Sequence, residues 1–339
     1  MKSSKARTTL DPNTTDRTFS GRHPTWSEVV ESFPEKARAD IDSIQDNHGC
    51  LPAAAVGRLL GSTFKDMGSL MMSLLPLAQK YAVVPVSHYQ VGAVAAGMPI
   101  YDTGWANLYL GANFEFANAA LSFTVHGEQS ATNHAWLRGE AGIQKLAISA
   151  APCGYCRQFL YELVTAKSLA ILLPDPNDPS SYISAPLTDF LPSAFGPEDL
   201  RIQSGLMDST LENHYLALPG GEPTDPVIVA AMAAACASYA PYPTDTAFGY
   251  AGVAIQLSDN SIYAGRNAEN AAYNPSLSPL ESALSFMNMS RPLGSSAAVV
   301  RCVLVEVPTL SSQFSATNTV LAAYSPDVSL EYFAASVVL

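Results

Sequence analysis

Lys145-Leu146-Ala147-Ile148-Ser149-Ala150-Ala151-Pro152-Cys153-Gly154-Tyr155-Cys156 passes from a short apolar run directly into a proline. Such a run, bounded by turn residues, reads as a buried strand over residues 145–150. Proline is favoured in the first turn of a helix, so a helix is expected from residue 152 through 163. Working outward, a helix is expected from His126 to Gly139 or Gly142. Strands are expected at 91–96 and 107–111. Strands alternating with helices define α/β units layered around a sheet.

Further out, Trp26, Val29, Val30 and Phe33 keep a helical period. So do Leu59, Leu60, Phe64, Met67, Leu70, Met71, Leu74 and Leu75, although Gly57, Gly61 and Gly68 weaken the second pattern. Residues 24–80 therefore read as a helical N-terminal segment. A stretch rich in Pro, Asp and Ser at 174–198 reads as a linker between domains.

The chain also repeats itself. Tyr81-Ala82 followed by Val91-Gly92-Ala93-Val94-Ala95 recurs as Tyr239-Ala240 followed by Ala251-Gly252-Val253-Ala254. Gly111-Ala112-Asn113-Phe114-Glu115 recurs as Gly265-Arg266-Asn267-Ala268-Glu269. The expected organisation is a solvated, disordered tail at 1–23, the helical segment at 24–80 and an α/β domain at 81–175. A linker at 176–225 then leads to a degraded copy of that domain at 226–339.

Composition narrows the function. A net charge of −12, from 18 basic and 30 acidic residues, with no basic run, disfavours a polynucleotide partner, which must be met by Lys and Arg against its phosphates. The apolar stretches are too short to span a bilayer. The basic N-terminal residues are not followed by an apolar segment, so a secretory signal is not expected, and Asp11 and Asp16 weaken a transit-peptide reading. Five cysteines, an odd number, argue for a reducing compartment, and the cytoplasm fits best.

The chemistry is carried by His126-Gly127-Glu128 and, 27 residues after the histidine, Cys153-Gly154-Tyr155-Cys156. The order H-x-E…P-C-x-x-C is a general signature of zinc deaminases. A turn into a helix N-terminus lets Cys153 and Cys156 point at one ion, and the helix end favours their thiolates. With His126 they form a three-ligand zinc site that leaves a fourth position open for water. Glu128, two residues from a ligand, is placed to move protons. A C-x-x-C pair alone is commonly a structural zinc half-site or a redox pair. A structural site needs a fourth ligand, and Cys50, Cys236 and Cys302 are isolated in sequence. A redox pair would not require His126 and Glu128. The remaining histidines (His23, His48, His88, His134 and His214) lack ligand spacing and are expected to be exposed or hydrogen-bonded.

These residues, with the block from Ser87 to Ala93, Thr124 to Ser130, Leu191-Pro192-Ser193-Ala194-Phe195-Gly196-Pro197-Glu198-Asp199-Leu200 and Asn270-Ala271-Ala272-Tyr273-Asn274-Pro275, closely resemble the two-domain, homodimeric cytidine deaminases of enteric bacteria and plants. The likeness covers roughly residues 50–310. It implies a three-layer α/β/α cytidine-deaminase-like fold with a mixed sheet, duplicated in tandem. It also implies one Zn2+ per chain and hydrolysis of a cyclic amidine in pyrimidine salvage: free cytidine and 2′-deoxycytidine to the uridines. By matching position, Asn113 and Glu115 would bind the ribose and Tyr89 would pack near sugar and base. Phe195 would reach the pyrimidine held by the partner subunit. Core packing is the plainer reading of Tyr89 and Phe195.

The resemblance has departures. Gly127 stands where alanine is usual, and Tyr155 where histidine is frequent. In the second half, aligning Glu281-Ser282-Ala283 with Gln129-Ser130-Ala131 puts Ser278 at the ligand position and Leu280 at that of the acid. Counting without a gap gives Leu280 and Ser282 instead. Either register lacks the metal ligand, and no P-C-x-x-C follows. Two other readings stand beside the first: a deaminase of polynucleotide cytosine or adenine, and an inactive nucleoside-binding protein with structural zinc.

Overall fold

The computed structural model describes residues 24–178, 180–245 and 247–338. The tail expected at 1–23 lies outside them. Helices α1 (Trp26–Glu31), α2 (Glu35–Asp42), α3 (Ala53–Ser62) and α4 (Met67–Ala78) fill the N-terminal segment, interrupted by the two-residue strand β1 (Cys50–Leu51). There follow β2 (Gly92–Ala96), β3 (Leu108–Ala112), α5 (Gly127–Leu137), β4 (Lys145–Ile148), α6 (Gly154–Leu160), β5 (Ala170–Pro174), β6 (Tyr182–Pro186) and α7 (Leu187–Phe190). The second half comprises β7 (Leu216–Ala217), α8 (Pro226–Cys236), β8 (Ala251–Leu257), β9 (Ile262–Arg266), α9 (Pro279–Ser290), β10 (Val299–Glu306), α10 (Phe314–Tyr324), β11 (Leu330–Ala334) and β12 (Ser336–Val337).

The two sheets share one plan. The first runs β1-β3-β2-β4-β5-β6 and the second β11-β10-β8-β9, so β3-β2-β4-β5 has its counterpart in β9-β8-β10-β11. In each, the one parallel pairing falls at the same place, β4 with β5 and β10 with β11. The sheets are mixed, as the resemblance implies.

Strand side chains alternate between faces, and the core follows that alternation. Ala93, Ala95, Leu146 and Ile148 face a core shared with α5 and α9, which also takes Val253, Ile255 and Leu304 from the second sheet. Val94, Ala96, Ala147 and Leu172 face the opposite core, beneath α4. Ala254, Val303 and Val305 face a third, beneath α8. The layers are thus α4, sheet, the α5/α9 pair, sheet and α8.

Close approach of helix to sheet depends on glycine in both halves. A Cβ on Gly111 would lie 2.2 Å from Ala131 N, and one on Gly265 would lie 2.1 Å from Ala283 N. Within the α5/α9 seam the hydrogen bonds are exchanged across a local twofold. Asn133 Nδ2 donates to Ser282 O (3.0 Å), Ser282 Oγ donates to Asn133 Oδ1 (2.6 Å), and Ser130 Oγ meets Ser285 Oγ (3.0 Å). Ser130 and Ser282 also accept the equivalent backbone N–H groups of Ala112 and Arg266, each at 3.2 Å.

Three expectations shift in detail. The helix read over 152–163 runs only from 154 to 160, because the chain then leaves it for a bridge between Leu163 and Leu206. The stretch 174–198 is not all loop. Residues 182–186 form the edge strand β6 on β5, and the Pro- and Asp-rich residues before them make the turn. The repeat begins two residues later than its Tyr-Ala dipeptides suggest. Val83 N donates to Asn113 O and Tyr239 N donates to Asn267 O, so Tyr239 corresponds to Val83 rather than Tyr81.

Candidate active site and metal centre

Two helix starts build the site. His126 is the residue before α5, in extended conformation (φ −78°, ψ 158°), and its backbone N–H donates to Gln129 Oε1 at 3.1 Å. Cys153 holds the same place before α6 (φ −71°, ψ 167°). Arg157 fixes that turn from within, its Nε donating to Pro152 O (2.8 Å) and its Nη1 to Phe190 O (3.1 Å).

The two starts bring His126 Nδ1 to 3.6 Å from Cys153 Sγ, and Cys153 Sγ to 3.5 Å from Cys156 Sγ. The three donors lie within 4.8 Å of one another. A tetrahedral ion with Zn–S near 2.3 Å and Zn–N near 2.0 Å would set its donors about 3.5–3.8 Å apart. The donor set fits zinc in kind and in spacing.

Its acid–base chemistry fits as well. The hydrogen bond from Cys156 draws Cys153 down to about 5. The same bond, with burial and the nearby Glu128, holds the Cys156 proton well above the ordinary thiol range. One proton leaves readily and the other does not, whereas a dication between two thiols removes both. Glu128 is 4% exposed and has its carboxyl pushed up mainly by burial, against the influence of Cys156 and His126 nearby. A cavity of about 540 Å³ opens over His126 and Tyr155 and is lined also by Leu121, Ser122 and, from the second half, Asn274.

Asn113, Glu115 and Tyr89 come together at the loop 83–91. Asn113 Oδ1 accepts from Val91 N (2.9 Å) and its Nδ2 donates to Tyr89 O (2.9 Å). Glu115 accepts from Val86 N and Ser87 N, each at 3.0 Å, and from Ser87 Oγ. Both side chains tie down the loop 83–91, which reaches the metal group through Val91: its Cγ1 would lie 3.0 Å from a Cβ on Gly127. Tyr89 is 58% exposed and Phe195 46%, so neither packs in the core of this chain. Phe195 O accepts from Gln158 Nε2 at 2.7 Å, two residues beyond Cys156.

The second half resolves the register left open above. Phe114 bridges Val125, and Ala268 bridges Leu277 in the same manner, so Ser278 stands at the His126 position and Leu280 at that of Glu128. The shorter connection, 269–276 against 115–124, is the gap. Among the described residues, the His126, Cys153 and Cys156 group is the one cluster of three potential metal ligands.

Sequence reasoning assigned no role to Asn274, Leu121, Ser122 or Gln129. Gln129 Nε2 donates to Pro275 O (3.4 Å), tying the start of α5 to the second half. It also gave no role to Glu162, fully buried, which accepts from Tyr239 Oη (2.7 Å), Tyr242 Oη and Ala271 N (2.9 Å). A glutamate within the apolar run 159–164 was the available signal. His134 meets the second of the two expectations for the remaining histidines: it is fully buried, with Nδ1 hydrogen-bonded to Leu110 O at 2.8 Å.

Two α/β layers with a His-Cys-Cys group at paired helix starts define a duplicated zinc-deaminase chain. Consistently, residues 66–172 and 187–319 each match a family described as "Cytidine and deoxycytidylate deaminase zinc-binding region". The chain is 43% identical over 290 residues to a cytidine deaminase of Sodalis glossinidius (strain morsitans), covering 82% of this chain and 88% of that one. It is 43% identical over 308 residues to one of Aliivibrio fischeri (90% and 96%), and 41% over 278 to one of Photobacterium profundum (82% and 86%). The chain belongs to the cytidine deaminase family.

Proposed function

We propose that this chain hydrolyses free cytidine and 2′-deoxycytidine to uridine and 2′-deoxyuridine, releasing ammonia, as a pyrimidine-salvage enzyme of the cytoplasm. The observation that carries the reading is the buried Glu128 two residues from His126 in the His126, Cys153 and Cys156 group, with a cavity of nucleoside size opening over His126. Those three residues would hold one zinc, whose Lewis acidity makes water a competent nucleophile near neutral pH.

The chain's own residues do the rest. Glu128 takes a proton from the attacking water, delivers it to ring N3, and later protonates the departing amino group. Oxygen becomes bonded to C4 as the C4–N4 bond breaks, so water and cytidine are converted to uridine and ammonia. Glu115 and Asn113 keep acceptor and donor capacity for sugar hydroxyls beyond the bonds they make to loop 83–91. Tyr89 and Phe195, both exposed, supply aromatic cover for sugar and base. Phe195 does so for the second subunit of a homodimer.

In this reading 81–175 is the catalytic unit and 176–225 the linker. Residues 226–339 form a non-catalytic copy whose α9 packs on α5 as a second subunit would, and 24–80 cover the first sheet. A nucleoside-binding protein with structural zinc would have no use for Glu128. A polynucleotide substrate is opposed by the −12 charge. The test is turnover with cytidine, deoxycytidine, cytosine and single-stranded DNA, followed by loss of pyrimidine absorbance. Turnover of both nucleosides and neither of the others supports the assignment. Deamination of the polynucleotide, or of nothing, overturns it.

A further inference from the structure

A ligating imidazole must be aimed as well as placed. The backbone of His126 is fixed by its bond to Gln129, but rotation of a histidine ring about its last torsion is broad and roughly twofold. Ligating histidines are usually aimed by a hydrogen bond to the second ring nitrogen. Among the described residues, the one hydrogen bond to the His126 ring is that between Nδ1 and Cys153, on the ligand side. On its cavity side the half-buried ring meets Tyr155, with centroids 5.1 Å apart and planes 27° from parallel.

Tyr155 is itself fixed by its place in the chain. Its backbone lies between two metal ligands in the first turn of α6. The Gln129 side-chain amide holds the facing helix start, taking the His126 N–H and reaching Pro275 O. The ring's Cα cannot shift without disturbing a ligand on either side.

Resting on the zinc assignment above, we propose that Tyr155 is a positioning residue for the metal ligand, its ring lying on His126 and fixing the orientation that aims Nδ1 at Cys153 and Cys156. Loss of an orienting partner of a ligating histidine typically costs about 10–100-fold in metal affinity.

The test compares Tyr155→Ala and Tyr155→Phe with the wild-type full chain. Zinc affinity is measured by competition with a chromophoric chelator, and the ligand field by the visible bands of the cobalt-loaded proteins. Unfolding of the zinc-free forms reports whether each variant folds. Tyr155→Ala should bind zinc about 10–100-fold more weakly with altered cobalt bands, while Tyr155→Phe, which keeps the ring, stays within about 3-fold of wild type. Wild-type affinity in a folded Tyr155→Ala, or equal losses in both variants, would overturn the role of the ring. If the alanine variant does not fold, the phenylalanine variant decides alone: weakened zinc refutes the proposal and retained zinc supports it. A wild-type chain that binds no zinc would bring down the underlying assignment, a distinguishable failure.

Discussion

Ser278 stands in the second half of the chain where His126 stands in the first. Each precedes its helix in extended conformation, and each donates its backbone N–H to the side chain three residues on, Gln129 or Glu281, at 3.1 Å. A serine hydroxyl is a poor substitute for imidazole. Leu280 fills the place of Glu128, and no cysteine lies between β10 and α10. The position matching the metal ligand is an ordinary helix cap here, since Ser278 Oγ accepts from Glu281 N.

Metal analysis should therefore find one zinc per wild-type chain. Ser278→Ala should keep that zinc while losing about 1 kcal/mol of stability, the usual worth of such a cap. Cys153→Ala and Cys156→Ala should lose it. Two zincs in the wild type, or full zinc in either cysteine variant, would refute the site.

Glu115 is expected to serve both loop and substrate. Glu115→Gln should leave zinc content unchanged and lower kcat/KM for cytidine by weakening a charge-assisted bond to the sugar, about twice as strong as a neutral one. Because the carboxylate also holds Val86 and Ser87, a modest fall in Tm should accompany it. A lowered Tm with unchanged kcat/KM would leave Glu115 with the loop alone.

How much of this was legible in the sequence follows from the range over which each signal acts. The H-x-E and P-C-x-x-C spacings carry the metal group because helix starts are local and capping geometry points their side chains together. The Asn-x-Glu repeat shows the duplication. By contrast, the bonds of Asn113 and Glu115 to loop 83–91 depend on tertiary pairing. So do the burial of His134 and the contribution of Asn274 to the cavity wall, which no local period encodes. The edge strand β6 was hidden by the Pro- and Asp-rich turn before it and by its own closing proline.

Phe195 should act on the partner's site. Its carbonyl is held by Gln158 while the ring stands exposed. Phe195→Ala chains, poorly active, mixed and reassociated with inactive Glu128→Ala chains should regain activity, because one site in each mixed dimer then has both groups. Random pairing of a symmetric dimer predicts about a quarter of wild-type activity. Mixed dimers that regain nothing would place Phe195 in its own subunit or outside the reaction.

His134 should make the protein acid-sensitive. Burial pulls it down to about 4, against the bond to Leu110 O, with Arg138 and His48 as neighbouring charges. The unfolded chain binds this proton below about 6.5 and the folded chain only near 4, so stability is lost as pH falls through that window. At roughly 1.4 kcal/mol per pKa unit the loss is on the order of 3 kcal/mol. Urea unfolding of the zinc-free protein at several pH values should show a flatter pH dependence for His134→Gln. Parallel curves would contradict this origin.

Glu128 is proposed to move protons at a metal site it does not build. The most direct measurement is zinc content and cytidine turnover on the same preparation of Glu128→Ala. One zinc per chain is expected, with kcat reduced ~10²–10⁴-fold or more, the usual contribution of a general acid–base group. Turnover within a few-fold of wild type would contradict it, as would loss of the metal.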